Sequence, residues 1–119
     1  MSDQQSLYRT ILHKAADLLR EHGFVRGARK AWDGKMCLLG ALDEAQQNKM
    51  ENTTAALAAL IVPYLPTPTV KDEDTYNHTV MTPTKNPVSI CAWWSNMRAE
   101  DAEEVALKLE EVADGLETA

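Results

Sequence analysis

The chain is poor in residues that build covalent or metallic scaffolds. It has two cysteines, Cys37 and Cys91, in no Cys-x-x-Cys arrangement, and three histidines. A disulfide framework and a cysteine-ligated structural zinc are therefore excluded as the basis of the fold, and reduced thiols in a cytoplasm are expected. Long hydrophobic runs are also missing. The longest, Ala55 to Val62, falls far short of the roughly 20 residues that span a bilayer. The opening stretch MSDQQSLYRT has no apolar core of a secretory signal. Positive charge is in deficit, with 12 Lys and Arg against 18 Asp and Glu and a net charge of −6. The acidity gathers between Glu100 and Glu117, which argues against binding nucleic acid through its phosphates. No glycine-rich phosphate loop, Gly-x-Ser-x-Gly or His-Glu-x-x-His occurs.

What is present suits one small helical domain. Apolar residues make up 45% of the 119, enough for a core without staples. Leu7, Ile11, Ala15, Leu18 and Leu19 form a helical stripe from about Ser6, and Gly23 stands where such a helix ends, after His22. Residues 24–36 break the pattern: Gly27 and Asp33-Gly34 signal turns, a loop or a small hairpin, with Phe24, Val25 and Trp32 expected to fold back onto the helices. A second helix is expected over about 36–47, with Gly40 marking a close helix–helix contact. A third runs from Thr53 or Thr54 to Val62. It carries no charge between Ala55 and Val62, so it is expected to be buried and central. All five prolines fall in residues 63–87, an irregular arm with room for a short hairpin. Asn86 and Pro87 then start a fourth helix bearing Ile90, Trp93, Trp94 and Met97. Asp101 and Glu104 approximate a capping box for a fifth, on which Glu104 and Lys108 are spaced as an ion pair. The expected fold is thus mainly α, a single-domain bundle of four or five helices with a long irregular arm.

Three constellations could carry chemistry. Cys37 lies at or near a helix start, where the dipole favours thiolate, and His78 with Asn77 or Asn96 could serve as its base and orienting amide. Its neighbours Met36, Leu38 and Leu39 favour the other reading, a packed core thiol. Asp72, Glu73, Asp74 and His78 share one loop but lack ligand spacing. A solvated acidic loop is favoured, and no metal or other cofactor is expected. Trp93 and Trp94 point about 100° apart on a helix, so unequal burial is expected. One or both close the core, or one indole serves a partner surface bordered by Tyr64 or Tyr76. The basic run Arg26, Arg29, Lys30 and Lys35 reads as solvated loop, with an acidic partner as the alternative.

Several of these motifs occur together in one order. His22-Gly23-Phe24 is followed by Asp33-Gly34, by Cys37-Leu38-Leu39-Gly40-Ala41-Leu42, by an alanine-rich helix, by Ala92-Trp93-Trp94-Ser95-Asn96, and by Asp101-Ala102-Glu103-Glu104-Val105. The chain in this respect resembles a family of small uncharacterised proteins of actinobacteria and their phages. That resemblance implies a small helical cytoplasmic domain and no particular activity, and it makes a phage-encoded accessory protein the expectation. The leading functional expectation is a non-enzymatic interaction or regulatory factor, binding another protein through the 63–87 arm and the Trp93/Trp94 face. The alternatives are a cysteine-dependent hydrolase or transferase using Cys37 and His78, and a structural role as a homodimer.

Overall fold

The computed structural model describes residues 3–46, 51–66 and 86–117. Its longest helix, α1 (Asp3–His22), buries Ile11, Leu12, Ala15, Ala16 and Leu19. This stripe is wider than the one expected because α1 packs against two partners, chiefly the last helix and then the second. A helix enclosed from two directions needs an i, i+1, i+4, i+5 pattern rather than a single seam. Leu7, assigned to the stripe from spacing, is instead 55% exposed. Gly23 ends the helix at φ +98°, and its N–H donates to the Leu19 carbonyl at 2.9 Å.

Residues 24–36 form a pinned double loop rather than a hairpin. Met36 is its hub: its N–H donates to the Gly23 carbonyl at 3.1 Å and its carbonyl accepts from Val25 N at 3.2 Å. Only isolated bridges, Phe24 to Met36 and Lys30 to Met36, join the strand-like pieces. The basic run ties this loop down. Arg29 pairs with Asp43 at 2.7 Å and Lys30 with Glu44 at 3.3 Å. Arg26 donates to the carbonyls of Ala99 and Glu100 and lies 5.3 Å from the Phe24 ring centre. The run is thus paired within the chain while all four of its residues stay exposed, as a solvated loop does.

Helix α2 (Leu38–Ala45) is shorter than the expected 36–47 and is the most enclosed element. Leu38 through Leu42 and Ala45 are all buried. Gly40 does mark a close approach, but to a loop and not to a helix: a Cβ there would stand 1.7 Å from the Arg29 carbonyl oxygen. That carbonyl also accepts from Cys37 N at 3.2 Å, so the loop backbone rests on the first turn of α2. Helix α3 (Glu51–Ile61) is not the central helix its composition suggested. Leu57, Ala58 and Ile61 are buried, but Ala55 and Ala59 are exposed. Alanine leaves so little apolar area in water that an all-apolar helix of this kind can lie on a surface. A 3₁₀ turn, Val62–Tyr64, follows. The rest of the expected arm, residues 67–85, with its hairpin, Tyr76 and His78, lies outside the described residues.

Helix α4 (Pro87–Met97) begins as its sequence dictates, with Asn86 Oδ1 accepting from Val88 N at 2.9 Å and Ser89 N at 3.2 Å. Helix α5 (Ala102–Glu117) starts on a shifted capping box. Asp101 Oδ1 accepts from Glu104 N at 2.9 Å, while the Glu104 carboxylate reaches back to Glu100 N at 3.3 Å rather than to Asp101. With Glu104 so engaged, Lys108 pairs with Glu111 at 3.3 Å and not with Glu104. Val105, Ala106, Leu109, Val112 and Ala113 complete the core, so the fold is mainly α and a single small domain.

Candidate functional site

Both tryptophans of α4 are interior residues, Trp93 at 2% and Trp94 at 4% exposure. The expectation of unequal burial is corrected. Helices α2 and α3 both pack on α4, so its buried arc is broad enough to take two adjacent indoles. Arg98 covers one of them, 5.5 Å from the Trp93 ring centre, and Trp93 Nε1 is buried without a hydrogen-bond partner among the described residues. An exposed Trp93/Trp94 face is therefore absent. Tyr64, expected beside that face, is half-buried and packs its hydroxyl against Gly115, where a Cβ would lie 2.1 Å from the oxygen.

Cys37 is the N-cap residue of α2, with extended backbone, and is 5% exposed. The first N–H of α2 does not turn to this thiol. Leu38 N donates to the buried Ser95 hydroxyl at 3.2 Å, so a serine on another helix caps α2. The base assigned to Cys37 from sequence, His78, lies outside the described residues. Cys91 is fully buried, its thiol 3.7 Å from the Ala58 carbonyl, and burial pushes its pKa up to about 12. It is a packed neutral thiol. No group of three His, Cys, Asp or Glu side chains among the described residues could hold a metal ion.

Two features remain that sequence reasoning did not single out. The first is Trp32, expected to fold back onto the helices but 98% exposed. It sits in a turn closed by Gly34 N to Ala31 O at 3.0 Å and Ala31 N to Lys35 O at 2.7 Å. Gly34 has φ +93°, and Asp33 Oδ1 accepts from Lys35 N at 3.2 Å. The Asp33-Gly34 signal was legible; which way the indole beside it would face was not. The second is a surface cleft of about 270 Å³ between residues 27–29, Cys37, Leu39 and the outer face of α4. Asn96 holds its two sides together by accepting from Gly27 N at 2.9 Å.

With this geometry in hand, comparison with known proteins places the chain. It belongs to a family of unknown function, DUF6197, whose model matches residues 4–115. No curated protein and no solved structure matches it. The family match covers α1 and α2, the double loop between them, α3 and α4, and most of α5, so both the Trp32 turn and the cleft fall within the family domain. No helix among the described residues is long and apolar enough to cross a membrane.

Proposed function

We propose that the protein is a non-enzymatic interaction factor that docks another protein through Trp32. The observation that carries this reading is an indole almost wholly in solvent on a turn held at both ends by backbone hydrogen bonds. Large aromatic side chains are costly to leave in water and are enriched where proteins bind. Burying on the order of 200 Å² of indole, at about 25 cal/mol/Å², offers roughly 5 kcal/mol before the costs of association. The turn loses little freedom on binding, because Arg29–Asp43 and Lys30–Glu44 already fasten its root to α2. The proline-bounded segment 63–87 is proposed as a second contact on its composition. On the motif resemblance, the protein is proposed to be a phage or actinobacterial accessory factor working in the cytoplasm.

The test uses wild type and Trp32→Ala as baits in host lysate, followed by titration of the purified captured protein. Trp32 reports directly, because Trp93 and Trp94 are shielded. The expected outcome is capture by wild type alone and a blue shift of the red-edge emission on binding. Equal capture by Trp32→Ala, with its circular dichroism unchanged, overturns the proposal.

A further inference from the structure

We propose that the cleft between the 27–29 segment and α4 is a binding site for a small organic carboxylate with a short apolar body. The lining residues include side chains with hydrogen-bond donors to spare. Arg29 is one of the lining residues, and its side chain gives Nη1 to Asp43, with no further acceptor for Nε or Nη2 among the described residues. Asn96 commits its Oδ1 to Gly27 N, so its amide nitrogen, with two N–H bonds, is the end left over. Ser89 lines the same cleft, and its hydroxyl has no partner among the described residues. In a chain of net charge −6, no acidic side chain among the described residues lines this cleft. The site therefore offers charge-assisted and neutral donors together, which is what a carboxylate takes up.

The remaining wall decides what the carboxylate is attached to. Leu39, Val88 and Ala92 present hydrocarbon, which an inorganic anion would leave facing water. The volume of about 270 Å³ lies just below the roughly 300–1,000 Å³ of pockets for drug-sized ligands, which suits a small ligand. A monocarboxylate of about nine non-hydrogen atoms fits that space. Benzoate is the simplest such probe, and affinity for so small a ligand falls in the millimolar range.

The site is tested by titrating benzoate into the isotope-labelled full chain and following the amide resonances of Gly27, Leu39, Ser89 and Asn96. Benzamide, its neutral counterpart, and inorganic phosphate, which lacks the apolar body, are run beside it. Asn96→Asp keeps the acceptor for Gly27 N while replacing the donor with negative charge, and Arg29→Gln leaves the backbone beneath Gly40 untouched. The expected result is saturable benzoate binding. Benzamide and phosphate should each bind at least about tenfold more weakly, and each substitution should weaken benzoate at least about tenfold, as loss of a charge-assisted bond does. Trp32→Ala binds benzoate as wild type does, which keeps this site separate from the docking turn. Absence of saturable shifts overturns the proposal. So does benzamide or phosphate binding as tightly as benzoate, or wild-type affinity in both substituted chains.

Discussion

Residue scale is where a glycine with crowded surroundings acts. Gly40 gives up roughly 1 kcal/mol of helix propensity relative to alanine, and the Arg29 carbonyl explains why: it occupies the space a methyl group would need. Because the clashing atom is backbone held by Cys37 N, it cannot swing aside. Gly40→Ala is expected to destabilise by about 2–4 kcal/mol in urea unfolding despite the better propensity. The three tryptophans divide by environment. Trp94→Ala should cost about 3–5 kcal/mol through the cavity it leaves, whereas Trp32→Ala should change stability by less than about 0.5 kcal/mol. In urea unfolding the Trp32 variant should keep the wild-type midpoint and the Trp94 variant should not. Among the candidate site residues, Cys37 was legible as a core thiol from its apolar neighbours. The exposed Trp32 and the cleft were not, since exposure depends on what fails to pack nearby.

At the scale of elements, caps separate local from distant control. Asn86-Pro87 and Asp101-x-x-Glu104 specify their helix starts with residues a few positions apart, and both starts stand where the spacing puts them. Asn86→Ala is expected to cost about 1 kcal/mol. Helix α2 is different. Its first N–H is satisfied by Ser95, 57 positions away in sequence, so no local pattern could reveal the cap. Ser95→Ala leaves Leu38 N buried and unpaired, and the expected loss is about 1–3 kcal/mol, read from the shift in urea midpoint. The alanines of α3 illustrate the reverse limit. Periodicity describes a helix's own faces and says nothing about how many neighbours arrive to cover them.

At the scale of the molecule, α1 and α5 form the largest helix contact, closed at its edge by Arg20. The guanidinium donates to Glu103 Oε1 and Oε2, both at 2.9 Å, and to Glu110 at 2.8 and 2.9 Å. Those hydrogen bonds hold both carboxyls below the usual carboxylate range and raise Arg20 further above its already high pKa. The pH dependence follows. A depressed carboxylate stabilises the fold fully above its unfolded pKa, near 4.3 for glutamate, and the contribution is lost as pH falls through the lower folded value. Stability of wild type should therefore drop on acidification below that range, and Arg20→Gln should be less stable at neutral pH with a shallower acid limb. Parallel acid limbs for the two chains in urea titrations would dismiss the clamp.

By itself the sequence determined the helical class, the Gly23 stop, and the starts of α4 and α5. These depend on residues within a turn or two of one another, where propensity and capping act. Only the tertiary structure decided which helix is enclosed, why Gly40 is glycine, that Ser95 caps α2, and that Arg20 bridges α5. It also decided that Trp93 and Trp94 are interior while Trp32 is not. Each of these is set by a group distant in sequence that either arrives at the position or leaves it to the solvent, and a linear pattern carries no record of such arrivals.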